Sequence, residues 1–161
     1  MPIDLKEIRF NITNAGVRST VNLAEVVTID ETDVSTEFVK QAALQGWWGT
    51  LTENALHAYR MAEIDLDTVG AQLASKLRAE LSVGLPAGKK PTEDQLKEAL
   101  KGNPAYAAQR KAVEMARHNA DLLKSALKAI EEKGKMLQSY GAYRRSEMDI
   151  EGLRTMRRSP A

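Results

Sequence analysis

The chain has 161 residues, 43% apolar, 28% charged and 5% aromatic, with no cysteine and a net charge of +1, a composition that most simply makes one globular domain. The missing cysteines exclude disulfides and thiolate metal sites, and the scarcity of aromatics leaves an aliphatic, alanine-rich core suited to closely packed helices. No run approaches about eighteen apolar residues, which excludes a membrane-spanning helix, and Met1–Phe10 is too charged to serve as a signal peptide.

The small net charge conceals an asymmetry. Residues 1–70 carry 5 basic and 11 acidic side chains, and residues 71–161 carry 18 basic and 11 acidic. Such polarity steers head-to-tail assembly or collects an anion on one side. Two solvated faces of uneven composition account for it equally well.

Taken in order, the chain opens with a period of two. Ile8, Phe10 and Ile12 alternate with Arg9, Asn11 and Thr13, which predicts a strand. Asn14-Ala15-Gly16 can turn, and Val17, Val21 and Leu23 continue a hairpin; Asn22–Val27 reads equally well as a short helical passage. A lone hairpin is marginal, so it must pack on helices or on another subunit. Asn11-Ile12-Thr13 matches a glycosylation sequon, discounted without a secretory signal.

Asp30–Asp33 is a polar break, after which Asp33 or Ser35 can cap a long helix with Glu37 in its first turn. Phe38–Leu81 carries that helix. Trp48, Leu51, Ala55, Tyr59, Ala62, Leu66, Val69, Leu73 and Leu77 recur every three or four residues, one stripe on one face. A helix of about 45 residues is about 65 Å long, so it needs a partner along most of its length. It should finish near Glu80–Ser82, with Gly84, Pro86 and Gly88 forming a loop.

Thr92-Glu93-Asp94-Gln95 is a capping box opening a short helix to about Lys101. Gly102-Asn103 ends it, and Pro104 suits the first turn of the next. The second long helix is expected from Pro104 to about Tyr143, with Val113, Ala116, Ala120, Leu123, Leu127, Ile130, Gly134 and Leu137 as a heptad-like seam. Gly134 on that seam allows a close approach or a bend. The two long helices should pair antiparallel through the Gly84–Asn103 connection. Ser146–Met156 reads as a last short helix, and Arg157–Ala161 as a loose end.

The expected fold is therefore all-α: a long antiparallel helical hairpin with a short connecting helix, and a small N-terminal extension that is either a β-hairpin or partly helical. Residues 1–30 form the extension, 31–145 the helical domain and 146–161 a basic C-terminal helix and tail.

Enzyme constellations are hard to find. Glu53 with His57 and Glu114 with His118 are parallel pairs spaced i, i+4, but a carboxylate-bridged metal site wants Glu-x-x-His and further inward carboxylates. All four lie off the apolar stripes, so ordinary surface pairs are the better reading, and no metal or cofactor is expected. Glu63, Asp65 and Asp67 alternate around a helix and do not share one cation. There is no phosphate-binding glycine loop, nucleophile elbow or zinc pattern. Trp47-Trp48 suits core packing or an oligomer contact better than base stacking.

The basic residues do form a pattern. Lys76 and Arg78 close the first long helix, Lys89 and Lys90 follow in the loop, and Lys97, Lys101, Arg110 and Lys111 lie on the next two elements. In an antiparallel hairpin these gather at one end, a site for phosphates without regard to sequence. Complementing a helix dipole explains Lys76 and Arg78 as well, but not Lys89 and Lys90. A second group, Arg144, Arg145, Arg154, Arg157 and Arg158, is diluted by Glu147, Asp149 and Glu151; it suits nucleic acid or an acidic partner.

At this point the chain resembles the phage recombination mediators of the UvsY type, over roughly Ile29–Arg145. The likeness rests on an order of pieces. They are Ile29-Asp30, a long helix with a tryptophan near its start, Lys76-Leu77-Arg78 before a glycine turn, Thr92–Leu100, and a second long helix ending in Gly134 through Arg145. The resemblance implies a small, helical, non-enzymatic protein assembled into a homo-oligomeric ring. It implies binding to single-stranded DNA without sequence preference, and loading of a RecA-like recombinase onto strands covered by single-strand-binding protein. That activity belongs in the cytoplasm of a phage-infected host and involves no membrane. In that family a Lys-x-Arg pair near the end of the long helix contributes to DNA binding; Lys76 and Arg78 match it. Residues 1–28 depart from the pattern, being longer and more strand-like, and so does the acidic front half. A helical oligomeric scaffold without nucleic-acid binding is the alternative, and a four-helix carboxylate metalloenzyme a more distant one.

Overall fold

The computed structural model describes residues 9–14, 17–83 and 89–158, with side-chain surroundings for 20–83 and 89–151. Two strands, β1 (Arg9–Asn14) and β2 (Val17–Asn22), precede four helices: α1 (Leu23–Val27), α2 (Val34–Ser82), α3 (Glu93–Gly102) and α4 (Pro104–Arg158). The fold is all-α, dominated by the long helical pair α2 and α4, as the apolar spacing predicts. It comprises two compact units, one built up to Leu51 and from Lys124 onward, the other from Thr52–Leu123.

The first unit begins with the hairpin that the period of two predicts. β1 and β2 are antiparallel, Arg9 opposite Asn22 and Asn14 opposite Val17. Of the two readings of Asn22–Val27, the helical one holds: Leu23 starts α1, because the Asn22 side chain accepts a hydrogen bond from the Ala24 N–H at 3.1 Å and so caps a helix. The chain then turns at Asp30, whose carboxylate accepts from the Thr32 N–H and hydroxyl at 2.9 and 2.6 Å. Those bonds, the Thr32 hydroxyl first, hold the Asp30 carboxyl below its ordinary value. Asp33 caps α2 in preference to Ser35, accepting from the Thr36 N–H at 3.2 Å. α2 thus starts at Val34, a turn ahead of Phe38.

Within this unit α2 and α4 run antiparallel. Trp48 and Leu51 of α2 are buried, as are Ala126, Ile130 and Leu137 of α4; each large apolar side chain so buried contributes about 1.5–3 kcal/mol. Trp48 is wholly inaccessible and meets the ring of Trp47 edge to face, centroids 5.3 Å apart. Two glycines of α4 admit close neighbours: a Cβ on Gly134 would lie 2.9 Å from Gln41 Nε2, and one on Gly141 would lie 3.1 Å from the Phe38 ring. The helix continues through Gly134.

Polar side chains in this core were not anticipated. Gln41 is buried and its Nε2 donates to the Ile130 carbonyl at 2.6 Å. Lys133 is 6% exposed; its ammonium pairs with Glu37 and donates to the Val26 carbonyl at 2.9 Å. One lysine thus joins α1, α2 and α4.

α4 also runs further than expected. The predicted end near Tyr143 and separate helix Ser146–Met156 are replaced by continuous helix to Arg158. The apolar seam fades there, but no proline intervenes and the Tyr143 hydroxyl donates to Glu147 at 2.7 Å, one turn on. The boundary between residues 145 and 146 therefore falls inside an element. Residues 159–161 and the expected loop glycines Gly84 and Gly88 lie outside the described residues.

The second unit holds the rest of α2, α3 and the start of α4. Ala55, Tyr59, Ala62, Leu66, Val69, Leu73 and Leu77 are half-buried, while Val113 and Ala120 of α4 are buried. Register is fixed at two levels. The Thr52 hydroxyl donates to the Leu123 carbonyl at 3.4 Å, and Gly70 leaves space that the Tyr106 ring occupies, 3.3 Å from where its Cβ would be. α3 has the predicted capping box, Thr92 with Gln95, and buries Leu96. Asn103 ends α3 and caps α4, its side chain accepting from the Ala105 N–H at 2.9 Å.

Candidate nucleic-acid interface

Lys76, Arg78, Lys89, Lys90, Lys97, Lys101, Arg110 and Lys111 all lie in the second unit, and all are exposed. The buried Leu96 and half-buried Ala99 and Leu100 turn one face of α3 inward. Lys97 and Lys101, four residues apart, follow Glu93 along another row of that helix. Arg78 reaches this row from the last turns of α2: its Nη2 donates to Glu93 Oε1 at 3.2 Å. The structure therefore links the end of α2 to α3 through Arg78, and Lys89 and Lys90 stand immediately before α3.

Arg110 and Lys111 are placed differently. Arg78 is eight residues beyond Gly70, about 12 Å, whereas Arg110 is four residues beyond Tyr106 in the opposite direction, about 6 Å. Together these put Arg110 about 18 Å from Arg78 along the helix axes. The antiparallel register brings it level with Glu63, Asp65 and Asp67. The eight basic residues thus divide into six on the end of α2, the approach to α3 and α3 itself, and two on α4 at the axial level of an acidic stretch. Charge also gathers at that stretch in another way: the Tyr59 hydroxyl donates to Glu63, and this bond raises the phenol above its ordinary value.

Among the described residues only Arg78 of the eight has a carboxylate within 4 Å. The other seven are cations without acidic partners there, the condition under which phosphates and counterions compete for them. Flexible ammonium groups neutralise phosphates as point charges, and the Arg78 fork offers paired donors.

The remaining candidates separate likewise. Trp48 is core, while Trp47 keeps 38% of its surface exposed and is the one of the pair open to a neighbour. Arg144 and Arg145 are exposed on α4, with Arg144 over the Tyr140 ring at 5.9 Å from its centroid; the Arg154 side chain lies outside the described residues. Glu53, His57, Glu114 and His118 are all exposed, and no hydrogen bond joins either pair among the described residues. No cluster of three His, Asp or Glu side chains able to hold a metal occurs among the described residues. No described helix is long and apolar enough to cross a membrane.

Elsewhere, an open groove of about 360 Å³ lies among α1, α2 and α4 of the first unit, lined by Glu25, Val26, Lys40 and Leu44. Its floor is Lys133, Glu37 and Gln41, whose charged and N–H groups already engage one another or the backbone.

The sequence pattern contains the cations but not the Arg78–Glu93 contact. Those residues are fifteen apart across a glycine- and proline-bearing loop, and only the packing of α3 through Leu96 brings them together. The fold is that of an all-α helical-hairpin protein, with exposed basic side chains at the α2–α3 junction. No family model, curated protein or solved structure matches the chain.

Proposed function

We propose that this chain is a recombination-mediator-like protein. It binds single-stranded DNA without sequence preference and helps a RecA-like recombinase load onto strands covered by single-strand-binding protein. The observation that supports binding is the set of exposed cations at the α2–α3 junction, Lys76, Lys89, Lys90, Lys97 and Lys101, without carboxylate partners among the described residues, with Arg78 beside them. The recombinase and single-strand-binding protein rest on the resemblance of Ile29–Arg145 to mediators of the UvsY type. In this reading the protein is non-enzymatic, uses no cofactor and acts in the cytoplasm of an infected bacterium.

Homo-oligomerisation belongs to the same proposal. Met136, Tyr143 and Ile150 recur every seven residues on α4 and are 62%, 59% and 49% exposed, the spacing of a helix-pairing seam. A ring built from such contacts repeats a weak cationic site, and a strand spanning several copies gains by effective concentration. The same apolar spacing supports a second reading, a helical oligomeric scaffold that binds no nucleic acid.

Fluorescence anisotropy with a labelled oligothymidine separates the two. The mediator reading expects binding that strengthens with strand length and weakens as salt rises. Changing Lys76 and Arg78 together to Ala should lower affinity roughly ten-fold and flatten the salt slope by about 1.4. Unchanged affinity in that variant removes both residues from the site. A wild-type protein that ignores the oligonucleotide in dilute buffer leaves the scaffold reading.

A further inference from the structure

Resting on that reading, we propose that Glu93 is an internal stand-in for phosphate: its carboxylate occupies Arg78 in the free protein and is displaced when a strand binds. Arg78 is the one member of the cationic set with an acidic partner among the described residues, at 3.2 Å. A carboxylate and a phosphate oxygen make the same charge-assisted bond to a guanidinium, so the two compete for one donor. Both partners remain largely open to solvent, at 56% and 72% side-chain exposure. The pair is therefore weak enough to exchange.

The position of Glu93 gives the exchange a consequence. It heads the row that continues through Lys97 and Lys101. With Glu93 paired, the Arg78 charge is neutralised and its donor is withheld from the positive surface between α2 and α3. With Arg78 transferred to phosphate, Arg78, Lys97 and Lys101 serve one anionic strand. The contact thereby lowers resting affinity and holds the guanidinium near its place of use. A mediator that must bind a strand and then yield it gains from such moderation.

The test is Glu93→Gln, which keeps the shape and removes the charge while leaving Thr92 and Gln95, the capping box, intact. Titrated with labelled oligothymidine at low salt, this variant should bind roughly three- to ten-fold tighter than wild type, with a steeper dependence on salt. In an Arg78→Ala background the same change should shift affinity less than two-fold. Far-ultraviolet circular dichroism of each variant confirms that helicity is kept. An equal or weaker affinity for Glu93→Gln overturns the proposal, as does an equal gain in the Arg78→Ala background, which marks a general charge effect. If wild type binds and these comparisons fail, only this inference falls. If wild type does not bind, the function proposed above falls with it.

Discussion

Replacing a mid-helix glycine by alanine ordinarily stabilises a helix by about 1 kcal/mol, through backbone entropy and propensity. At Gly134 the sign should reverse. The added Cβ would stand 2.9 Å from Gln41 Nε2, a distance no real Cβ contact tolerates, so the amide must withdraw. Withdrawal is expected to cost the 2.6 Å bond to the Ile130 carbonyl. The carbonyl keeps a partner in its own helix, but the buried Gln41 N–H is left without one. The orphaned buried donor costs about 1–3 kcal/mol. Set against the helix gain, Gly134→Ala should destabilise by up to about 2 kcal/mol. Gly46, on α2 with nothing within 4 Å of its Cβ position, is the control and should gain up to about 1 kcal/mol as alanine. Urea unfolding followed by circular dichroism, at fixed protein concentration, measures both. In a Gln41→Ala background the obstruction is gone, and Gly134→Ala should become stabilising. A Gly134→Ala protein more stable than wild type would refute the packing argument.

Two further predictions concern the same unit. Lys133→Met removes the partner of a carboxylate that is only 17% exposed, so it should cost about 3 kcal/mol; adding Glu37→Leu should recover most of the loss in denaturant titrations. A single variant as stable as wild type would mean the ion pair does not hold α1 and α2 to α4. The Asp33 carboxyl lies below its ordinary 3.8 because the Thr36 hydroxyl and N–H bond to its charged form. A depressed folded value stabilises above the unfolded value and is lost as pH falls through the folded one. The thermal midpoint of wild type should therefore exceed that of Asp33→Asn at neutral pH, and the difference should shrink below about pH 4; a constant difference would remove the titration of this cap.

The parts legible in sequence were those with a period or a cap. Both long helices follow from apolar residues at steps of three and four, and Thr92 with Gln95 announces α3 to within a residue. The two strands follow from the alternation of Phe10, Ile12, Val17 and Val21 with polar residues. What escaped were polar residues in apolar places. The burial of Gln41, Thr52 and Lys133 has no local sign, since nothing nearby in sequence reveals that a carbonyl or carboxylate waits 71 to 107 residues away. Lys133 lies three residues after Ile130 and four before Leu137, on the seam itself, and that spacing was its available signal. The extent of α4 was missed because the seam fades near Leu137, whereas helix persists where hydrogen bonds within α4 continue and no proline intervenes. At the junction, the identity of the cations was legible. Their division was not, because it depends on register: Gly70 beside Tyr106 carries Arg110 toward Asp65 and away from Arg78.

The bond from Lys133 to Val26 also sets an order of manufacture. A ribosome releases Val26 long before it has made residue 133, so the amino-terminal segment leaves the tunnel with its anchor still unwritten. Until that lysine arrives, α1 has no ammonium to hold it, and Trp48 lacks the α4 segment beside which it is buried. A chain stalled during this interval would present that indole to chaperones and proteases.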